Sequence, residues 1–435
     1  MQRGLAAKSA VAVVAALALA ACQASGGDGS EGTGHNRGTD SRASGTPTPK
    51  IRGVKAPERF SIERAIALPE SAGAGNVAIA GVRNPLPIAL RKGVAYIARP
   101  DGMEIASGYS RSDPVRITSE REPLTTLDRL GPTVGGNPAR RPIITQHGGR
   151  TLVLSSLVAR VPGSGTTKGH DALELMAVDA DKTTKVWSVE IPLAEHDFGV
   201  DEGQSEVVGR NGDIVAVLAH GQLFGVDLGS HRKVWAAQGT YGEGAALAGS
   251  TLVALRRVDG FNPPLVGIDP ATGKQKWIFD GITSSTVAAA GPDTVIASGY
   301  VRDAEDDGAL LLDAATGKKV RQFPDDAPAF GKCTYDNLFT TVCMSFDGVA
   351  AYDPATGEQR WALPDKAGRR AAPNVTLVRE GLVYGTTENG PVVLDATTGE
   401  DKEDRPGIAP YISDGYIGIA LKKPDNTVTA YRVQD

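Results

Sequence analysis

Six aspartates recur along this chain at nearly constant spacing, and acidic groups in register could hold a metal ion or move protons. They are Asp179, Asp227, Asp269, Asp313, Asp353 and Asp395, separated by 48, 42, 44, 40 and 42 residues. A group present in every unit cannot mark one reaction centre, because catalysis needs a single asymmetric site. The repeat reads instead as turn chemistry. In Asp269-Pro-Ala-Thr-Gly273 and Asp353-Pro-Ala-Thr-Gly357, the carboxylate can accept backbone N–H groups two residues on. Proline presets φ at the next position, and glycine takes the left-handed conformation. Gly317 and Gly399 close the copies that begin at Asp313 and Asp395.

Tryptophan follows Asp by eight residues in four copies, at Trp187, Trp235, Trp277 and Trp361, and these are all 4 tryptophans of the chain. Arg321 and Glu403 stand in that place in the other two copies. Repeated indoles could stack on a ligand. At this regularity they read as packing wedges between units, each able to bury roughly 150–250 Å².

Other groupings with chemical potential are weaker. Asp303-x-Glu305-x-Asp307-Gly308 has the alternate oxygen ligands and glycine turn that begin a calcium loop. The bidentate acid is missing, because residue 314 is Ala. It is expected to be a solvated hairpin loop. The six histidines (35, 147, 170, 196, 220 and 231) show no close ligand spacing, which argues against zinc. Gly163-x-Gly165 with Lys168 lies between strand-like runs and opens no helix, so it lacks the means to cradle phosphate. No Gly-x-Ser-x-Gly elbow is present. No catalytic, cofactor-binding or metal-binding residue is assigned.

The elements that carry the repeat are strands. Apolar, β-prone residues precede each Asp, as in Leu265-Val-Gly-Ile268, and fit a buried inner strand. Two further runs precede each of them. Around Asp227 these are Ser205–Val208 and Ile214–Leu218, joined at Asn211-Gly212, a hairpin signal. Around Asp395 they are Val375–Val378 and Leu382–Tyr384. With the Trp-bearing strand this makes four antiparallel strands per unit, which is a propeller blade, and a period near 40–45 residues fits one. The fold class is all-β, a propeller of eight blades: one degenerate blade within residues 75–125, including Asn76–Ile79, six with the Asp signature, and one closed by both chain ends. In that last blade Phe60–Leu68 completes three C-terminal strands. Seven blades result if the N-terminal region is only a decorated closing segment.

Residues 1–21 read as a signal segment. Arg3 and Lys8 precede an apolar run, Ser9 to Leu19, too short for an ordinary spanning helix. It ends Leu19-Ala-Ala-Cys22, which resembles the lipobox of bacterial lipoproteins. That resemblance implies lipidation of Cys22 and cleavage before it. Residues 22–57 are rich in Gly, Ser, Thr and Pro and read as a disordered tether with an r.m.s. span of about 30–35 Å. The propeller is assigned to residues 58–435. The net charge is −5, and loss of Arg3 and Lys8 makes it more acidic. That disfavours nucleic acid, which wants a basic face. Cys333 and Cys343 form an even pair in an exported chain, which points to a disulfide. A tight turn at Asp336-Asn337 would place residue 333 opposite 340, so a bridge requires a longer loop or a bulge.

The Asp-x-x-Thr-Gly-x-x-x-Trp copies, over about residues 140–435, resemble the repeat of the pyrroloquinoline-quinone (PQQ)-type β-propellers. The resemblance implies one of two branches. Quinoprotein dehydrogenases hold PQQ and calcium on the propeller axis, but no adjacent cysteine pair and no matching calcium ligands stand in this sequence. The cofactor-free branch includes the propeller lipoprotein of the outer-membrane β-barrel assembly machinery. The function expected is a membrane-anchored, extracytoplasmic lipoprotein that binds an envelope or membrane protein partner and needs no cofactor. The loops at 159–172, 191–204 and 258–264 are the expected contact sites. The alternatives are a small-molecule sensor and a divergent quinoprotein dehydrogenase.

Overall fold

Each Asp-centred unit folds as one four-stranded antiparallel sheet, because its turn residues fall at strand-length intervals. The structure is a computed structural model and describes residues 55–73, 78–79, 82–83, 85–124, 140–194, 204–258, 263–323, 332–345 and 348–434. Residues 1–54, which include the signal segment, Cys22 and most of the tether, lie outside the described residues.

Eight blades follow in chain order. Blade 1 comprises Ile88–Arg91, Val94–Arg99, Gly102–Ser107 and Val115–Thr118. Blade 2 comprises Ile143–His147, Arg150–Val161, His170–Asp179 and Thr184–Pro192, and Glu122–Pro123 adds a short fifth strand beside Arg150–Val161. Blade 3 is Ser205–Asn211, Ile214–Ala219, Gln222–Asp227 and Arg232–Ala236. Blades 4 to 7 repeat that plan and begin with Thr240–Ala248, Ile282–Ala289, Lys332–Tyr335 and Asn374–Arg379. Blade 8 takes Ile412–Ser413, Ile417–Lys422 and Thr427–Arg432 from the C-terminal end, and its fourth strand is Ile66–Ala67. Ile66 pairs with Ala430 and Ala67 with Thr429, and Phe60 bridges Val433. The ring is therefore closed by both ends of the chain, which removes exposed sheet edges at the seam. Ala78–Ile79, expected in blade 1, instead forms a separate two-stranded hairpin with Val82–Arg83.

The first strands of successive blades from 3 to 7 pack on one another, as do those of blades 8 and 1, while blade 2 meets blades 1 and 3 through Arg150–Val161. The apolar strand that ends in Asp is third from the axis, interior to its sheet, with a neighbour on each side. Leu223, Phe224 and Val226 in blade 3 and Leu265, Val266 and Ile268 in blade 4 are buried there. Their side chains alternate between the two faces of the blade, so one strand feeds two interfaces. Among the described residues the core divides into eight apolar clusters, one at each contact between successive blades, from blade 1 on blade 2 round to blade 8 on blade 1. Each fully buried Leu, Ile or Val contributes about 1.5–3 kcal/mol.

One irregularity is common to the six Asp blades. The third and fourth strands slip register by one residue just before the Trp position, as between Gly225↔Trp235 and Val226↔Lys233. The same bulge precedes Trp187, Trp277, Arg321, Trp361 and Glu403. It sets this residue opposite the one two before Asp, and a bulge also increases local twist.

Antiparallel order sorts the loops into two sets. The Asp turns, between third and fourth strands, lie at the same end as the turns between first and second strands. The turns between second and third strands, and the connections between blades, lie at the other end.

Candidate functional site

The Asp turns build one end of the ring. Asp179 Oδ1 accepts the backbone N–H groups of Asp181 and Lys182, at 2.9 Å each. Asp353 Oδ1 accepts those of Ala355 and Thr356, and Asp395 Oδ1 those of Thr397 and Thr398. Asp227, Asp269 and Asp313 each accept a backbone N–H and a hydroxyl within the same turn. The residue four after Asp has positive φ in every copy. It is Gly273, Gly317, Gly357 and Gly399, but Thr183 and His231 in blades 2 and 3. These six carboxylates are spread over six turns of the ring, each occupied with its own backbone.

The tryptophans join neighbouring blades. Trp277 Nε1 donates to the Ala314 carbonyl at 2.9 Å and Trp361 Nε1 to that of Ala396 at 2.8 Å. Trp187 stacks on His231 with ring centroids 4.7 Å apart. Where Trp is missing, other groups take the role. Arg321 lies against Gly357, and Thr294 Oγ1 donates to the Pro354 carbonyl at 2.6 Å. Glu403 pairs with Arg59, so the tether side of the closing strand is tied to blade 7. In blade 1, which lacks the Asp signature, Tyr96 Oη donates to the Ala180 carbonyl of blade 2 at 2.6 Å.

Cys333 and Cys343 face each other directly on the first two strands of blade 6 and are joined by a disulfide. The loop between these strands spans residues 336–340, since Tyr335 pairs with Thr341. That is the longer loop the bridge required. Asp336 shapes it by accepting the N–H groups of Leu338, Phe339 and Thr340 on one oxygen.

The opposite end carries the groups not absorbed by the fold. The 159–172 segment, expected to be a loop, is mostly paired: Arg150–Val161 and His170–Asp179 stay in register as far as Val161↔His170, with a further bridge at Ser164↔Thr167. The strands are extended because Leu157 and Ala159 pack on blade 1 while Val158 and Leu173 pack on blade 3. Gly163, Gly165 and Lys168 sit at the tip of this hairpin. Within the other two expected contact loops, residues 195–203 and 259–262 lie outside the described residues. Asp303 and Glu305 are exposed between the second and third strands of blade 5, and Asp303 faces Lys319 at 3.6 Å.

Between blades 3 and 4 at this end lies a small open cleft, lined by Arg140, Gln204, Glu206, His220, Tyr241 and Arg257 among others. It sits where both of those loops begin or end. Burial pushes the Glu206 carboxyl above its ordinary value, against the pull of Arg140. Burial likewise raises the Tyr241 phenol, whose hydroxyl donates to the Gln238 carbonyl at 2.9 Å. His220 is buried in a left-handed turn. Near the entries of the first strands of blades 2 and 6, Arg141 and Lys332 are each pushed below their ordinary values by desolvation and then by a neighbouring cation. These residues escape motif reading because they come from separate blades, at the entries of first strands or beside the turns between second and third strands. The only sequence signal is a charge at the entry to a first strand.

Calcium takes six to eight oxygen ligands, whereas no group of three or more acidic, histidine or cysteine side chains suited to a metal occurs among the described residues. Cys333 and Cys343 are cross-strand partners, not chain neighbours.

Residues 171–329 match the family model described as outer membrane protein assembly factor BamB. No curated protein matches. Among solved structures, the computationally designed Ika8 protein is 14% identical, with 80% of this chain and 95% of that chain covered and a TM-score of 0.49. BamB from Moraxella catarrhalis is 15% identical, with 87% and 100% covered and a TM-score of 0.43. A chain of the mitotic checkpoint complex is 12% identical, with 92% and 99% covered and a TM-score of 0.43. The matched segment runs from blade 2 into the connection after blade 5, and the same Asp unit continues beyond it to Asp395. The chain is an all-β propeller of eight blades, and residues 171–329 of it are similar to that family.

Proposed function

We propose that this protein is an extracytoplasmic lipoprotein, anchored through Cys22, whose propeller holds an envelope protein partner by its loop-bearing end. The observation that carries this reading is the division of labour between the two ends. One end is consumed by Asp turns that serve the fold. The other presents the extended hairpin of blade 2 and the cleft. Loops on a rigid scaffold are where recognition resides. The family description matched by residues 171–329, an assembly factor, supports a partner-binding role. Tethering at the membrane would raise the local concentration of propeller near such a partner.

The test is in-cell crosslinking and capture with three versions of the chain: wild type, Cys22→Ala, and a variant in which residues 160–171 are replaced by a tight turn joining Ala159 to Ala172. These two residues are paired in the native sheet, so the shortened hairpin keeps its register. A partner captured by wild type and lost on shortening, with the circular dichroism unchanged, is the expected result. Equal capture by the shortened hairpin would overturn it.

A second reading, a small-molecule sensor, is favoured by the cleft. Convergent charged groups, Arg140, Glu206 and Arg257, line it beside Tyr241. Ligand-dependent thermal stabilisation that is lost in Tyr241→Ala, with capture unaffected by hairpin length, would favour it over the first.

A further inference from the structure

We propose that the cleft between blades 3 and 4 is a carboxylate-binding site, in which Arg140, Arg257 and the Ser205 hydroxyl receive the end group of an organic acid or of a peptide chain. The inference rests on the reading of the loop-bearing end as the recognition surface, and it names the chemistry recognised there. Placement is the first argument. Separate stretches of chain line this one cleft. Arg140 comes from the approach to blade 2, and its Nη2 donates to Gln204 Oε1 at 3.1 Å, which brings the guanidinium to the entry of blade 3. Ser205 and Glu206 begin the first strand of that blade. Tyr241 stands near the start of blade 4, and its N–H donates to the Gly221 carbonyl at 2.8 Å, which ties the two blades together at the cleft. Arg257 ends the second strand of blade 4, paired with Thr240.

Open space and unmet bonding capacity are the second argument. Tyr241 pairs with Arg256 and Ala245 with Ala254, so Gly242-Glu243-Gly244 stand opposite Leu255 alone. The first strands of blades 3, 5 and 7 bulge by one residue, and this one bulges by two. Bulges interrupt strand pairing and are over-represented beside binding and active sites. A Cβ built at Gly244 meets nothing within 4 Å, so the backbone there borders open space. Ser205 is 3% exposed, and its Oγ has no hydrogen-bond partner. A buried hydroxyl without a partner is costly, and a ligand oxygen supplies one. Charge then selects the ligand. Arg140 and Arg257 line the cleft against one carboxyl, Glu206. With His220 neutral, the balance is one net positive charge, which a carboxylate neutralises and a phosphate dianion overshoots. Burial pushes the Glu206 carboxyl toward its neutral form despite Arg140, so it tolerates an anion beside it. The chain as a whole carries −5, which makes this a local positive region. Guanidinium groups match the two oxygens of a carboxylate, and walls of low dielectric strengthen the attraction. Leu218 and Tyr241 add apolar wall. The cleft is small, so it takes an end group and not a whole large molecule.

The experiment is a ligand-observed NMR titration of the purified full-length chain with N-acetyl-leucine, N-acetyl-leucinamide and inorganic phosphate at matched ionic strength. N-acetyl-leucine is expected to bind saturably, with the amide and phosphate about tenfold weaker. Arg257→Gln, at an exposed side chain, should weaken binding of N-acetyl-leucine about fivefold, and Ser205→Ala about threefold. Glu206→Gln should tighten it about twofold, because a negative charge beside the ligand is gone. A merely structural role for Glu206 would weaken it instead. Lys366→Gln, at an exposed site in the connection after blade 6, should leave it unchanged. A short peptide ending in leucine, with its terminus free or amidated, separates the two sources. Tighter binding of the free-ended peptide than of N-acetyl-leucine assigns the carboxylate to a partner chain, and weaker binding assigns it to a free acid. Absence of saturable binding to wild type, equal binding of the amide, preference for phosphate, or binding unchanged in the Arg257→Gln, Ser205→Ala double variant would overturn the proposal. Hairpin-dependent partner capture is measured separately, so failure here leaves the scaffold reading standing.

Discussion

The indole N–H of Trp235 donates to the carbonyl oxygen of Pro270, 3.0 Å away in the next blade. The same ring is held between two glycines. A Cβ built at Gly225 in its own blade would lie 2.1 Å from it, and one at Gly273 in the next blade 2.6 Å. The Asp turn of one blade is thus the seat for the tryptophan of the blade before it. The repeat unit is a contact between blades as much as a turn within one.

Trp235→Ala removes a side chain only 8% exposed and orphans the Pro270 carbonyl. It is expected to cost about 3–5 kcal/mol, the range for large-to-small changes in cores. Trp235→Phe keeps most of the wedge and loses the donor, so it should cost less, by about 1–3 kcal/mol in all. Urea unfolding followed by tryptophan fluorescence separates the two. An Ala variant within 1 kcal/mol of wild type would mean that the wedge is not needed.

The left-handed position of the Asp turn carries Thr183 at φ 53° and His231 at φ 54° in blades 2 and 3. Bulky or β-branched residues are strained there. Thr183→Gly should therefore stabilise the protein by about 1 kcal/mol. His231→Gly relieves similar strain but removes the ring stacked on Trp187, so its gain should be smaller or absent. Thermal melts of the two single variants test the contrast. An equal rise in both would show that the Trp187–His231 stack contributes nothing.

The repeat made most of the fold legible. A recurrent Asp, with Trp at a fixed offset in four of the copies, marked six blades, and the three C-terminal strands announced a closing strand from the other end, which Ile66–Ala67 provides. The bulge before each Trp was not legible, because offset alone does not reveal which residue is left unpaired. The extension of the blade 2 hairpin was hidden too. Residues 159–172 look like a loop from their glycines, but Leu157 to Ala159 and Ala172 to Leu173 are held as strand by blades 1 and 3 on either side. The candidate site was least legible. Arg140, Glu206 and Tyr241 line one cleft only because the ring brings the entries of separate first strands together.

Asp336 is buried, and one of its oxygens accepts three backbone N–H groups while Oδ2 has no hydrogen-bond partner. Asp336→Ala would orphan all three donors and is expected to cost about 3 kcal/mol or more. Asp336→Asn keeps the accepting oxygen and replaces the unpartnered one by an amide, so its cost should be smaller. The two are distinguished by equilibrium unfolding with the disulfide intact. If Asn costs as much as Ala, the negative charge and not the acceptor geometry holds the loop.

Glu104 gives the fold a defined acid sensitivity. It lies on the third strand of blade 1, 1% exposed. Burial opposes its charge, but a hydrogen bond from Ser71 outweighs this together with Arg116 and Arg99, and the carboxyl titrates below its ordinary value of 4.5. Arg116 Nε donates at 3.0 Å and Arg99 Nη1 at 3.3 Å. The folded pKa is depressed, so the unfolded chain takes up the proton first as pH falls. The stability this carboxylate contributes is full above the unfolded value and is lost as pH drops through the folded one. Ser71 belongs to the segment that joins the closing strand to blade 1, so acid should loosen that junction first. Glu104→Gln should lower stability at pH 7 by about 3 kcal/mol, as for a broken buried pair, and flatten the pH dependence below 4.5. Denaturant midpoints of wild type and variant between pH 7 and pH 3 test this, with hydrogen exchange locating the opening. Parallel curves for the two proteins would show that other carboxylates govern acid unfolding.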